Sequence, residues 1–304
     1  MPTVLHVHNV QRPGGTGNFA FDFARCFAGW RHLAVCVNDA RGDAQWREDV
    51  APQLRTFYAP QLTPAILDEL SPRVVVLHAT AARSLAGSYP WAWLRASGRL
   101  VISWHHVALS PIIPADLDVY ESEFVRGQYS PYVDQIARGV VCPPCTDLAP
   151  YAAIPRTCPS GRRVTTAGKS CAEAEQLARE TPDWSWCHRP PGRVGSMPAY
   201  LAGFDVAVVW SGLQETWCRT VTEAMAAGCL TLAHRAGAIP EQIEHGRNGF
   251  LFDTREEAAA LLAALPDRSD LEAIREAGRV SALACGGFDR LRSTLGPVLE
   301  EASR

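Results

Sequence analysis

Lysine is almost missing: Lys169 is the single lysine among 29 basic residues in a chain of 304. With the richness in alanine and arginine, this points to a GC-rich coding bias, a matter of ancestry and not of function. Neither charge sign dominates, since 32 acidic residues leave a formal net charge of −3. Without a basic stripe, a general nucleic-acid binder is disfavoured. Long hydrophobic runs are also lacking. Stretches such as 204–210 and 74–77 fall far short of the about 20 residues that cross a bilayer, so no integral membrane segment is expected. Met1 is followed by Pro-Thr-Val-Leu-His, with no basic leader and no small-residue cleavage site, and the expected location is cytoplasmic. There is no internal repeat of short period and no low-complexity segment.

What is present is ordinary for a globular protein: 47% hydrophobic, 20% charged and 9% aromatic residues. At about 150 residues per domain, two domains are expected. Ten cysteines are scattered along the chain, without the secretory context of a disulfide scaffold. Cys142-Pro-Pro-Cys145 is the one CxxC pair. It reads as half a zinc site or a dithiol, with Cys158, Cys171, Cys187 and His188 as conceivable partners, or as two buried small hydrophobes. No second paired knuckle accompanies it, and no metal is expected.

Short apolar runs alternate with helical-period stretches. Strands are expected at residues 4–7, 33–37, 74–78, 100–104, 119–120 and 140–141, with helices at 18–28, 64–70 and 122–129. A second series follows, with strands at 163–166, 184–187, 206–210, 230–233 and 250–252 and helices at 171–180, 197–202, 219–227 and 240–245. Continuous apolar strands between helices imply parallel sheets covered on both faces, hence an α/β chain of two doubly wound domains. The proline-rich stretch 148–161 marks the boundary, giving domains 1–150 and 151–287. Three final helices, at 255–265, 270–284 and 288–302, add no strand. They are expected to wrap the outside or cross back to the first domain, as 288–304 does in this reading.

Open α/β sheets bind ligands at the carboxyl ends of their strands, so the loops there carry the chemistry. After the first strand, Gln11-Arg-Pro-Gly-Gly-Thr-Gly-Asn18 leads into a helix, and a glycine turn ahead of a helix N-terminus suits an anion. It is neither a GxGxxG nor a P-loop. The sharpest segment runs from Val208 to Gly228: a strand, a loop carrying Glu215, then a helix carrying Glu223. Eight positions are little more than two helical turns, so both carboxylates can face one side. Carboxylates accept paired hydroxyls well, and the amides of Thr216, Trp217 and Cys218 could meet a phosphate or sugar oxygen. The spacing alone equally describes an amphipathic helix with two solvated glutamates.

Here a family resemblance enters. Glu215-x7-Glu223 within Glu-Ala-Met-Ala-Ala-Gly228, followed by Leu230-Thr-Leu-Ala-His-Arg, Gly237-Ala-Ile-Pro-Glu241 and Gly246-Arg-Asn-Gly-Phe-Leu-Phe-Asp253, resembles the donor half of family-4 retaining glycosyltransferases of GT-B fold. Pro13-Gly-Gly-Thr-Gly17, Ser103-Trp-His-His106, Tyr120-Glu-Ser-Glu-Phe-Val125 and Val141-Cys-Pro-Pro-Cys-Thr-Asp-Leu148 resemble further segments of that family, in family order along nearly the whole chain.

The resemblance implies two Rossmann-like domains facing a cleft, and it implies roles. Glu223 would hold the ribose of a nucleoside-diphosphate sugar, and Glu215 the hydroxyls of its sugar, beside the amides of Thr216, Trp217 and Cys218. Lys169 would neutralise the diphosphate. Arg193 and Val194 would lie beside the base, and Gly14 and Gly15 would complete the donor site. His105 would sit near the reacting sugar, with Gly17, Trp104 and His106 on the acceptor side. His105 also reads as a core or capping histidine, and Trp91, Trp93 and Trp104 as simple core. Three positions depart from the family: Ala174 stands where a second basic residue is usual, His106 where the family has aspartate, and Pro144-Cys145 where it has Asn-Gly.

The implied activity is retaining transfer of a sugar, from a UDP-sugar for preference or from GDP-mannose, to a small hydroxyl or amine acceptor. It would use no cofactor and no metal, in a monomer or homodimer. A GT-B nucleotide-sugar epimerase and a non-catalytic, nucleotide-sugar-binding relative are the alternatives.

Overall fold

The computed structural model describes residues 1–8, 15–37, 43–59, 62–78, 94, 96–106, 112–136, 138–157, 162–167, 171–188 and 196–304. The chain divides into two units, Met1–Cys145 with Phe288–Arg304, and Thr146–Gly287.

The first unit is built on seven parallel strands: β1 (Thr3–His8), β2 (Arg31–Cys36), β3 (Arg55–Tyr58), β4 (Val74–His78), β5 (Leu100–His105), β6 (Leu117–Tyr120) and β7 (Gly139–Val141). Their order in the sheet is β3-β2-β1-β4-β5-β6-β7. β1 is buried along its whole length, as a central strand covered on both faces must be. Alternate side chains serve opposite faces. Val4, Val74, Val76, Ile102 and Trp104 pack against Phe19 and Phe23 of α1 (Gly15–Cys26), whereas Leu5, Val7, Val75, Leu77 and Val101 pack against Leu67 of α3 (Pro64–Leu70). Among the described residues this unit also holds α2 (Ala44–Val50), α4 (Glu123–Gln128) and a 3-10 turn, Ser130–Gln135. Its last element, α11 (Phe288–Ser303), inserts Leu291, Leu295 and Leu299 into the same core as Phe19 and Trp104.

The second unit holds five parallel strands in the order β12-β11-β10-β8-β9. These are β8 (Arg163–Thr166), β9 (Ser185–His188), β10 (Val206–Val209), β11 (Leu230–His234) and β12 (Phe250–Phe252). Helices α5 (Ala149–Ala153), α6 (Ala172–Glu180), α7 (Met197–Leu201), α8 (Arg219–Ala226), α9 (Arg255–Ala264) and α10 (Leu271–Gly286) surround them. α10 lies hard against its neighbours through two glycines. A Cβ on Gly278 would come within 2.8 Å of the Asn248 carbonyl oxygen, and one on Gly286 would collide with the Thr222 methyl.

Three sequence expectations need correction. β3 was not expected, because Arg55-Thr-Phe-Tyr58 is a half-exposed edge strand without an apolar run. The helix expected at 240–245 is a single 3-10 turn, Ile239–Glu241, with Pro240 in its first positions and Gly246 in the left-handed region beyond it. The stretch 148–161 is not linker throughout: α5 occupies its start, and Leu148 and Tyr151 are buried in the core of the second unit.

Candidate functional site

In the second unit, the carboxyl end of β10 leads through 210–218 into α8. The four β10 residues are all buried, so the strand end is fixed and the loop inherits that precision. Trp210 lies parallel to the His234 ring, 5.5 Å away, at the end of β11. His234 Nδ1 donates to the Ser211 carbonyl at 2.7 Å. The Ser211 hydroxyl donates to Glu215 Oε1 at 2.7 Å and accepts the Leu213 N–H at 3.3 Å. The Glu215 carboxylate is thus aimed by a serine whose own backbone is held by the adjacent strand.

The Glu215 backbone is gripped as well. Ala238 N–H donates to its carbonyl at 2.8 Å, and Gly237 N–H donates to the Gln214 side chain at 2.9 Å. Gly237 has φ +57, and any Cβ there would run into the Glu215 carbonyl and lie 2.6 Å from its nitrogen. Only glycine satisfies both the dihedral and the approach.

Trp217 is buried within a closed ring of hydrogen bonds. Its indole N–H donates to Thr222 Oγ1 at 3.1 Å, the Thr222 hydroxyl donates to Gln242 Oε1 at 2.8 Å, and the Gln242 amide returns to the Trp217 carbonyl. Between this ring and α8 lies Cys218, a non-glycine residue with φ 70 and ψ 75. Its left-handed turn separates the Glu215 loop from the helix. Burial, then the Glu215 carboxylate and more weakly Glu223, push the Cys218 thiol up to about 12. Cys218 is therefore a neutral thiol and no nucleophile, and both carboxylates lie close enough to bias it. On α8, Arg219 Nε stands 3.8 Å from Glu223 Oε1, with both side chains mostly shielded, at 16% and 15% exposure. Thr216 is half-buried.

The structure thus gathers Glu215, Thr216, Trp217, Cys218 and Glu223 around the start of α8. Lys169, Arg193, Val194 and Gly14 lie outside the described residues. In the first unit, Gly15 opens α1 and Gly17 is buried in its first turn. Trp104 is fully buried against Phe19, at a ring separation of 4.4 Å. His105 is buried with both ring nitrogens engaged, Nε2 with Asp118 Oδ1 at 2.8 Å and Nδ1 with the Tyr129 hydroxyl at 3.0 Å. His106 bridges Glu121 and His78. Cys142 and Cys145 are core residues, and burial pushes the Cys142 thiol up to about 12. Among the described residues there is no cluster of three or more metal-ligating side chains, and no helix is long and apolar enough to cross a membrane.

Sequence reasoning gave no role to Ser211, Gly237, Thr222 and Gln242, which hold the site in place. For Gly237 a signal existed in the Gly-Ala-Ile-Pro-Glu turn; for Thr222 and Gln242, twenty residues apart, there was none.

Two parallel sheets of seven and five strands, each wrapped by helices, define a GT-B fold, and solved structures agree. The crystal structure of Anabaena Alr3699/HepE in complex with UDP superposes with a TM-score of 0.76 at 16% identity, covering 99% of this chain and 100% of that one. Sucrose-phosphate synthase from Thermosynechococcus elongatus gives 0.69 at 14% identity, with 99% of each chain covered. AviGT4, a glycosyltransferase involved in avilamycin A biosynthesis, gives 0.60 at 18% identity, covering 100% of this chain and 98% of that one. At such identities the likeness establishes the fold alone. In sequence, residues 151–267 match the family described as Glycosyl transferases group 1, a stretch that lies within the second unit. No curated protein matches the chain in sequence.

Proposed function

We propose that the protein is a retaining glycosyltransferase of the family-4 type. It moves a sugar from a nucleoside diphosphate, UDP for preference, to the hydroxyl or amine of a small molecule. The observation that carries this reading is the paired-carboxylate site at the start of α8, within the stretch that matches the group 1 family. The similar fold of Anabaena Alr3699/HepE, solved in complex with UDP and with UDP-glucose, favours a uridine donor.

In this reading Glu223 accepts the ribose hydroxyls and Glu215 the sugar hydroxyls, each fixed before the donor arrives. Glycosyl transfer builds positive charge on the sugar ring and negative charge on the departing diphosphate. Preorganised cations and N–H dipoles at the diphosphate lower that barrier most. Lys169 and the amides at the start of α8 supply them, with Arg193 and Val194 beside the base, and no metal is used. The bond from the sugar C1 to the β-phosphate oxygen breaks as the acceptor oxygen bonds to C1 on the same face. The acceptor proton passes to the leaving phosphate. His105 and His106 serve the acceptor side. The protein acts in the cytoplasm as a monomer or homodimer.

The test is thermal stabilisation by UDP, GDP, dTDP and their sugars, with Glu223→Ala as control. A ligand at about 100 times its Kd adds about 2.7 kcal/mol. One nucleotide stabilising the wild type alone is expected, and with that donor Lys169→Ala should abolish turnover. No stabilisation by any of them would replace this reading with that of a non-catalytic relative. Nucleotide or free-sugar release without an acceptor would point instead to an epimerase.

A further inference from the structure

Three adjacent strands of the first sheet end on histidine: β1 on His8, β4 on His78 and β5 on His105, with His106 one residue beyond. The next strand, β6, is followed by Glu121. His106, His78 and Glu121 are all buried, as is His6, two residues before the end of β1. They are joined in a line. His106 Nδ1 meets Glu121 Oε1, His78 Nδ1 meets His106 Nε2 at 2.6 Å, and His6 Nδ1 meets His78 Nε2 at 3.2 Å. The rings of His78 and His106 are 4.9 Å apart and tilted by 20°, and those of His6 and His78 are 5.5 Å apart and tilted by 19°. Nitrogens this close at these ring separations must lie on the line between ring centres. The imidazoles therefore meet edge to edge, nearly coplanar, with each lone pair facing an N–H.

The direction of the line follows from one end. A carboxylate only accepts, so His106 Nδ1 carries hydrogen and donates to Glu121. His78, kept neutral by burial, has one N–H, and the blind end at His6 puts that hydrogen on Nδ1, so His78 donates to His106 Nε2. By the same step His78 Nε2 accepts and His6 Nδ1 donates. His6 Nε2 then ends the line as a lone pair, and it has no hydrogen-bond partner among the described residues. Reversing the line would put an N–H at that blind end, and buried orphan donors are rarer than orphan acceptors. Burial holds the pKa of His6 and of His78 well below the ordinary 6.5, so neither carries charge at neutral pH. Phe19 closes over His78 and His106, and Phe23 over His6, which shields the line from water.

We propose that Glu121, His106, His78 and His6 form a one-directional hydrogen-bond wire that fixes all three imidazoles as Nδ1–H tautomers. His78 and His6 are thereby positioning residues for a His106–Glu121 pair at the carboxyl edge of the first sheet. The service of that pair to an acceptor hydroxyl rests on the glycosyl-transfer reading; the wire itself does not.

The test uses the full chain labelled with nitrogen-15 histidine, each imidazole assigned by single substitution. At neutral pH, His6, His78 and His106 should all show hydrogen on Nδ1; hydrogen on Nε2 of His78 would overturn the wire. His78→Leu should release His106 from its single tautomer. His78→Gln, which still offers one donor and one acceptor, should preserve it. In a transfer assay His78→Leu should lower kcat by about tenfold or more, the usual loss when a supporting hydrogen-bond partner is removed. KM for the donor and UDP-induced stabilisation should be unchanged, which also reports that the second unit has folded. His78→Leu with wild-type kcat and an unaltered His106 tautomer would refute the positioning role. A wild-type protein without transfer activity would remove the acceptor role, leaving the tautomer signals to decide the wire.

Discussion

The two units share a doubly wound plan but bury different polar side chains. In the first, His6, His8, His32, His78, His105 and His106 are all buried. In the second, none of the three histidines, His188, His234 and His245, is buried. There the buried polar side chains include the Trp217–Thr222–Gln242 ring, Asn248 bonded to Ser281 and to the Gln242 carbonyl, and Asp205 paired with Arg156. One architecture thus hosts a unit with six buried histidines and a unit with none among its described residues.

Acid breaks this contrast most strongly. His6, His78 and His32 have pKa values lowered mainly by burial, whereas in the unfolded chain they return to the ordinary value. The unfolded chain therefore binds more protons as pH falls below 6.5. The stability these groups contribute is complete above that pH and is lost from there down toward their folded values. Below 6.5 and above its folded value, each such group costs about 1.4 kcal/mol per pH unit. Hydrogen exchange resolved by peptide should show residues 1–145 and 288–304 opening between pH 6.5 and 5 while residues 196–287 stay protected. Simultaneous opening would dissolve the distinction.

A substitution in the second unit should reverse the pattern. Gly237→Ala sets a Cβ against the Glu215 backbone at positive φ and should cost about 2–4 kcal/mol. Thermal unfolding would read the loss, and UDP stabilisation should disappear with it. Thr222→Val opens the hydrogen-bonded ring and leaves the buried Trp217 N–H without an acceptor. A loss of about 1–3 kcal/mol is expected in denaturant titration, confined to the second unit. The smallest effect has the opposite sign. Cys218→Gly relieves a left-handed residue and should stabilise the second unit by about 1 kcal/mol, visible as a raised Tm.

The strands legible in the sequence are those with continuous apolar runs, such as 74–78 and 206–209, because burial on both faces demands them. β3 was hidden because an edge strand needs only half that burial. Glu215 and Glu223 were legible as a spacing, since they sit on one strand–loop–helix unit. What fixes them was not. Gly237 grips Glu215 through a turn that returns from the next strand, and Gln242 closes its ring across twenty residues. The line from Glu121 to His6 joins four elements through links of 15, 28 and 72 residues, and no local pattern announces it. Three strands ending on histidine were visible as text, but only the sheet order β1-β4-β5-β6 makes them neighbours.

The return of α11 to the first unit has a consequence for synthesis. A chain growing from its N-terminus finishes Thr146–Gly287 before it possesses Leu291, Leu295 and Leu299. Until those leucines emerge, the face that carries Phe19 and Trp104 has no lid against water. The unit translated first is therefore completed last, and a ribosome stalled near residue 287 would release a finished second unit tethered to an unfinished, aggregation-prone first.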